Sequence, residues 1–406
     1  MISMLARAAA EPLRARRYKL DVIIPERFSV IDDPTGSLTL ITGFAAILRS
    51  SSRKIQRIFI DHGRLREYDL AANGLLAVIV SDLREERAGG RRLRLRGRYP
   101  ADPSVRRVYE ELAITKYLNI ETVKSEASTE PSLEVFDVRR AASIEPEGVA
   151  ARYHEQKAGE FVEHVDRCLV RGSNRRLTAT GKLDLSNYVA EILANAEDHA
   201  IGRYGHVDWS IQGYLDESAK PASCEITIFN FGPSFAQTLN LVPRDGFTWI
   251  EQVRPYLDRH AATRNNSGRF REEELLTVIA LQGGVSSKND VEETTRGQGT
   301  VDLIRFFQAV HAECNGATGC GAEMAIISGS TYVKFDGTYK MEGQQSTTSV
   351  IAFNRGNTLE APPDPKYVQS LGRLSFPGTI ISIRFPLSSA SSRLVEERNN
   401  GGSDEN

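Results

Sequence analysis

Residues 186–200 carry the side chains whose types and spacing could do chemistry. Glu191 and Asn195 are four apart, so they share one side of a helix, and Asp198 follows a turn later. Val189, Ile192, Leu193 and Ala196 form an apolar stripe on the same stretch. A carboxylate, an amide and a second carboxylate beside a core seam suit a Mg-nucleotide site. The amide oxygen can bind Mg²⁺, and Glu191 can poise a water or hydroxyl for attack on a γ-phosphate. The ordinary alternative is a solvated helix face with an asparagine in its middle.

Glycine-rich stretches follow in order. A strand at 224–229 runs into Asn230-Phe231-Gly232, where a polar residue followed by glycine lets backbone approach a flat ligand. Gly283 to Lys288 precede Arg296-Gly297-Gln298-Gly299-Thr300 and a helix at 301–310. Glycines ahead of a helix N-terminus can cradle phosphate. Gly378-Thr379 opens a strand at 376–386. Alternation predicts a strand at 207–214, and 325–328 and 331–335 a hairpin across Gly329. Residues 155–170 and much of 246–281 read as helix.

These boxes resemble those of the GHKL (Bergerat-fold) ATPases, which include gyrase B, MutL, histidine-kinase catalytic domains and anti-sigma-factor kinases. Glu191-x-x-x-Asn195-x-x-Asp198 is similar to the N box. Asn230-x-Gly232 is similar to the first glycine box, Arg296-Gly297-x-Gly299 to the second, and Gly378-Thr379 to the third. The resemblance implies a two-layer α/β sandwich over 151–388, with a mixed sheet against helices, binding ATP and Mg²⁺. It implies Glu191 as catalytic base, Asn195 as the Mg²⁺ ligand and Asp198 beside the adenosine. Gly297, Gly299 and Thr300 would face the phosphates, and Thr379 the adenine. Residues 235–296 would form the ATP lid, with Ser287 and Lys288 in it and Lys288 able to reach the γ-phosphate. Asn230 stands where the family has an adenine-reading aspartate; its amide oxygen still accepts, more weakly. No transducer domain is expected after Pro386, so any hydrolysis would use groups of this domain or of a partner.

The first third reads as strands alternating with helices, which implies a mainly parallel sheet. Strands are expected at 18–24, 55–61 and 91–99, and helices at 37–48, 68–87 and 103–115. Helix 68–87 reads as amphipathic, with Leu70, Leu75, Leu76, Val80 and Leu83 on its apolar side. The order around Ile58-Phe59-Ile60-Asp61 resembles the STAS domain of anti-sigma-factor antagonists over 18–120. The stretch Glu67 to Asn73, where such antagonists carry a phosphorylated serine, has no Ser or Thr. Phosphorylation at that point is therefore not expected.

Arg92, Arg94, Arg96 and Arg98 alternate along one strand and share a face. They could contact a nucleic-acid backbone. We read them as a charged edge strand that blocks aggregation, because no aromatic is interleaved with them in the sequence. Residues 1–17 are expected as an N-terminal extension, 121–150 as a linker with one strand at 133–138, and 389–406 as a disordered tail. His154 and His164 read as surface histidines. His311, Cys314 and Cys320 read as parts of a glycine-rich loop rather than a zinc site.

With 406 residues the chain has room for two or three domains. The four cysteines form no disulfide framework, and no apolar run reaches the length of a membrane span, so a cytoplasmic protein is expected. Residues 1–120 hold 22 Lys+Arg against 14 Asp+Glu, and the remainder 29 against 39, which supports a boundary near 120–150. The function expected is an ATP-dependent regulatory switch with slow hydrolysis, partnered by another protein or a second copy. The alternatives are a protein kinase acting on a partner and a component of a nucleic-acid complex.

Overall fold

The computed structural model describes residues 2–8, 18–51, 55–85, 93–112, 133–143, 153–173, 176–177, 179–201, 206–261, 270–285, 298–318, 321–343 and 349–387. The protein is a mixed α/β structure. In the N-terminal unit, strands β1 (Lys19–Ile23), β3 (Arg57–Asp61) and β5 (Arg94–Arg98) pair in parallel in that order. Helices α2 (Pro34–Ser51) and α3 (Leu70–Glu85) connect them, and a short parallel pair, β2 (Arg27–Phe28) with β4 (Glu67–Tyr68), lies beside them. Helix α4 (Pro103–Glu111) begins with Pro103, and the Asp102 carboxylate accepts from the N–H groups of Ser104 and Val105. Every element expected between 18 and 115 is present within a few residues.

Helix α1 (Ile2–Arg7) packs on α2 with Ile2 and Leu5 buried. Residues 2–7 therefore belong to the N-terminal unit rather than to an extension.

A second sheet has seven strands, β6 (Leu133–Ser143), β7 (His206–Asp216), β8 (Ala222–Phe231), β9 (Glu323–Gly329), β10 (Thr331–Phe335), β11 (Val368–Ser370) and β12 (Phe376–Leu387). Their order is β11-β10-β9-β12-β8-β7-β6 and every pairing is antiparallel. The mixed sheet expected here is thus corrected. β7 reaches β8 through residues 217–221, and β9 reaches β10 through Ser330, and such short connections can only return the chain antiparallel. β6 falls inside the expected linker and pairs along its length with β7, so that part of 121–150 is sheet.

One face of this sheet is covered by α5 (Tyr153–Ser173), α6 (Ala179–Ile201), α7 (Phe235–Asn240), a π-helical turn (Thr248–Val253) leading into α8 (Arg254–Arg259), α9 (Glu272–Ala280) and α10 (Gln298–Thr318). Their shared core includes Leu193, Ile226, Ile228, Ile304, Ile326 and Ile381. The other face carries Phe229, Phe231, Ile327, Tyr332 and Ile380, which share a core with the N-terminal unit. The two units expected as separate domains are therefore joined through the sheet.

Helix α3 explains how. It lies between the two sheets and touches β7, β8 and β12. Residues 70–80 are all buried, so the helix is enclosed on every side rather than amphipathic with a solvent face. A Cβ on Gly74 would come within 2.4 Å of Gln212 Oε1 on β7, so glycine lets helix and sheet approach. Polar ties cross the same seam. Tyr332 Oη donates to the Ile31 carbonyl at 2.7 Å, and Arg139 bridges Asp82 on α3 and Asp208 on β7 at 2.7 and 2.8 Å. Arg107 pairs with Asp216 at 2.6 Å and Arg384 with Asp32 at 3.2 Å.

Candidate functional site

A row of side chains crosses the helix-covered face near one end of the central strands. Trp209 on β7 is the register partner of Asn230 on β8, and Asn230 of Thr379 on β12. Thr379 is the partner of Ser328 on β9, and Ser328 of Thr331 on β10. Two residues along each strand, Ile211, Ile228, Ile381, Ile326 and Val333 lie in the helical-side core, so period two places the whole row on that side.

The row is polar where its neighbours are aliphatic. The Phe235 N–H donates to Ser328 Oγ at 2.8 Å, and Ser328 Oγ and Thr379 Oγ1 share a hydrogen bond of 2.9 Å. Thr331 Oγ1 is buried with no partner among the described residues. The half-buried Asn230 amide also has none among them. Trp209, Ser328 and Thr331 are fully buried and Thr379 nearly so, which leaves the half-buried Asn230 amide as the member of the row most open to a polar ligand.

Two glycines shape the site. Gly378 has φ +147°, and a Cβ there would come within 1.9 Å of the Asn230 carbonyl oxygen. Only glycine lets β12 enter the sheet beside Asn230. The Gly232 N–H donates to the Pro377 carbonyl at 3.1 Å, which joins the two glycine segments. Among the described residues, a Cβ on Gly232 would meet only Asn230 Nδ2, at 3.7 Å, an ordinary contact.

Helix α6 is anchored to this row by Glu197. Its carboxylate is buried, accepting from Trp209 Nε1 at 3.0 Å and pairing with Arg140 at 2.7 Å and with His154 Nδ1 at 3.3 Å. The Arg140 guanidinium lies 4.9 Å from the centre of the Tyr153 ring. The anchor fixes the helical turn that carries Asn195 and Asp198 beside Trp209, next in register to Asn230 and Thr379. The backbone of Asn195 and Asp198 is helical, and their side chains lie outside the described residues. Glu191 is half-buried on the same helix, about 9 Å nearer its N-terminus than Glu197. Helix α10 packs against α6, and Gly299 and the half-buried Thr300 stand in its first turn. Ser287, Lys288, Arg296 and Gly297 lie outside the described residues.

Sequence reasoning missed Glu197, Trp209, Arg140, Ser328 and Thr331. One signal was available. Glu197 continues the stripe of Val189 and Leu193, and an acid on an apolar stripe needs a buried partner.

Other expectations are corrected. Of the 235–296 lid, α7 to α9 are part of the helical layer, with Leu239, Val253, Tyr256, Leu275 and Ile279 buried in its core. Residues 262–269 and 286–297 lie outside the description. His164 is a buried residue, not a surface one. It lies between Phe136 and Phe161, 3.5 Å from Cys168 Sγ and 3.6 Å from Glu134. His154 is mostly buried against Glu197. His311 and Cys314 are on helix α10 rather than in a loop, bonded to the carbonyls of Ala322 and Pro386. Cys320 and the 389–406 tail lie outside the described residues, among which no cluster could hold a metal and no helix could cross a membrane.

The opposite face of the same strands is electrostatically tense. Glu225 on β8 is buried against α3 and accepts from the Leu70 N–H at 2.7 Å. Burial pushes its carboxyl up to about 8, against the pull of the Arg384 guanidinium and with a push from Asp69. Burial also raises Asp69, although it accepts from the N–H groups of Ala72 and Ile31 and from Ser29 Oγ. Asp69 stands just ahead of α3, close enough to Glu225 for the two carboxyls to repel.

Compared with models of protein families, with curated proteins and with solved structures, the chain has no match.

Proposed function

We propose that the protein is a Mg-ATP-binding regulatory switch, with a GHKL-like nucleotide site on the helical face of the seven-stranded sheet and a STAS-like unit on its other face. One observation carries this reading. Glu197, Trp209, Asn230, Thr379 and Ser328 follow one another across helix and sheet, so the helical turn of 195–198 and the segments at Asn230 and Thr379, which resemble three of the boxes, are neighbours in the fold. These segments are far apart along the chain and converge by folding alone.

The groups present fit an adenine nucleotide. Asn230 offers an amide oxygen to an exocyclic amino group, and among the described residues nothing but its own amide crowds Gly232. If Ser328 donates to Thr379, the Thr379 hydroxyl proton is free for a ring nitrogen or a bridging water. Asn195 would hold Mg²⁺ through its amide oxygen, and Gly299 and Thr300 would present N–H groups at the start of α10 to phosphate. Bound Mg-ATP supplies a phosphoryl group activated for attack. Glu191 would orient a water or hydroxyl and take its proton. Asn230 in place of aspartate weakens the adenine contact, which favours a site that senses nucleotide concentration over one that holds it permanently.

Regulation follows from alternation along the strands. Asn230 and Thr379 face the site, whereas Phe229, Phe231 and Ile380 face the N-terminal unit. A nucleotide that shifts β8 or β12 also shifts the seat of α3. The test is phosphate release from Mg-ATP by the unmodified protein and by Glu191→Ala, with nucleotide affinity measured for both. Turnover lost with binding retained supports a switch reset by hydrolysis. Tight binding without turnover in either protein supports the partner-kinase alternative. Absence of any thermal shift at millimolar Mg-ATP sinks the nucleotide reading.

A further inference from the structure

Among the described residues, one face of the N-terminal sheet is left uncovered. A parallel sheet is ordinarily covered on both sides. Here the strands bury Leu20, Val22, Ile58, Ile60 and Leu95 toward the helices, and their alternate residues face outward. Register turns those outward residues into a grid. Lys19, Arg57 and Arg94 form one row; Asp21, Phe59 and Arg96 the next; Ile23, Asp61 and Arg98 the third.

Two features of this grid are invisible in the linear sequence. First, positive charge is concentrated and partly unspent. The face carries five basic side chains and two carboxylates. Asp21 pairs with Lys19 at 3.1 Å and Asp61 with Arg98 at 3.4 Å. Arg57, Arg94 and Arg96 have no carboxylate partner among the described residues. Second, β3 supplies the aromatic that the arginine strand itself lacks. Phe59 is half-buried at the centre of the grid, in register with Arg96 and flanked along its own strand by Arg57.

We propose that this face binds single-stranded nucleic acid. The arginines of β5 repeat about every 6.6 Å on one side of the strand, a spacing on which successive phosphates of an extended chain can lie. Arginine forks pair bidentately with phosphate. Phe59 offers a ring on which a base can stack, with Arg96 beside it for a cation–π contribution. A flat sheet that combines an aromatic with surrounding basic groups suits unstacked bases, whereas a duplex presents phosphates without base faces. Alone, β5 reads as an edge guarded against aggregation; the neighbouring phenylalanine is what changes that reading. This site is independent of the nucleotide site, which lies on the far side of the seven-stranded sheet.

The test is fluorescence polarisation of the full chain with labelled 15-mers of oligo-U, oligo-dT and a mixed-sequence duplex, from 50 to 300 mM NaCl. Single strands should bind more tightly than duplex. The logarithm of affinity should fall with the logarithm of salt at about −0.7 per phosphate engaged, a slope of roughly −2 to −3 for three or four contacts. Arg94→Ala/Arg96→Ala should weaken binding more than tenfold and make the slope shallower by about 1.4. Phe59→Ala should weaken it fivefold or more at an unchanged slope, since stacking releases no counterions. The exposed Arg355→Ala/Arg373→Ala pair, on the other unit, should change neither. Tighter binding of oligo-U than of oligo-dT would assign a 2′-hydroxyl contact; equal binding would assign the shared backbone and base faces. The proposal is overturned by duplex binding as tight as single-strand binding, by retention of affinity in the Arg94/Arg96 variant, or by no oligonucleotide binding at 50 mM NaCl. Cosedimentation with phosphatidylserine vesicles in the absence of oligonucleotide binding would overturn it in favour of an anionic membrane surface.

Discussion

Replacing Glu225 with glutamine should remove a pH dependence from the stability of the fold. The residue is 2% exposed, and burial is the leading cause that lifts its carboxyl from the ordinary 4.5 to about 8. Between those values the folded protein keeps a proton that the unfolded chain has released. Stability therefore falls as pH rises through this window. His62 acts with the opposite sign. Burial lowers it from 6.5 to about 4, so its contribution is complete above 6.5 and is lost as pH falls toward 4. Measuring from pH 6.5 to 8 thus separates the two. Across that interval Glu225 should cost the wild type about 1.5 kcal/mol, since each full unit is worth about 1.4 kcal/mol and the group is half-titrated at the upper end. Glu225→Gln keeps an acceptor for the Leu70 N–H but cannot ionise. Urea unfolding followed through the buried Trp209 should show the wild-type loss, with a variant flatter by about that amount. The difference between the two proteins is the readout, because Asp69 is also raised by burial. Identical pH slopes in wild type and variant would refute the assignment of a buried, proton-holding Glu225.

Three further substitutions test the architecture. Gly378→Ala places a Cβ 1.9 Å from the Asn230 carbonyl at φ +147°, and should cost at least about 3 kcal/mol by chemical denaturation and abolish any nucleotide-dependent thermal shift. Glu197→Ala leaves the Arg140 guanidinium and the Trp209 N–H without their shared carboxylate. A loss of about 3–5 kcal/mol is expected, and a loss below about 1 kcal/mol would show that the anchor is dispensable. Gly74→Ala sets a helix-propensity gain of about 1 kcal/mol against displacement of the Gln212 amide, and in a double-mutant cycle the substitution should be about 1 kcal/mol more favourable in a Gln212→Ala background.

Much of the chain is legible because local pattern and tertiary environment agree. The strands at 207–214, 224–229 and 376–386 announce themselves by periodicity and recur with ends shifted by no more than two residues, and the helix at 301–310 recurs as the longer Gln298–Thr318. Helix α3 shows where the pattern fails. Its apolar residues read as one stripe, but a helix between two sheets has no solvent side, and Ala71, Ala72, Ala77 and Ile79 on its other faces are buried too. The three-residue β11 carries too few residues to show any period. Convergence is the larger blind spot. Asn230 and Thr379 each stand out as candidates, yet their adjacency depends on a pairing across about 150 residues that no local rule encodes. Ser328 and Thr331 attract no notice in sequence and matter only because register puts them in line with that pair. Phe59 and Arg96 meet by the same route.

The place of β12 bears on how the molecule is made. The last of the described strands is inserted between β8 and β9, in the middle of the sheet. Until Phe376–Leu387 has been synthesised, β6-β7-β8 and β9-β10-β11 are two half-sheets whose facing edges lack their partner. Each edge exposes a ladder of unpaired N–H and C=O groups flanked by isoleucines. A growing chain must hold these edges apart from each other and from neighbouring chains for the time needed to add about 45 residues after β9. Premature termination between residues 371 and 376 should therefore yield two sticky half-sheets rather than a smaller folded protein.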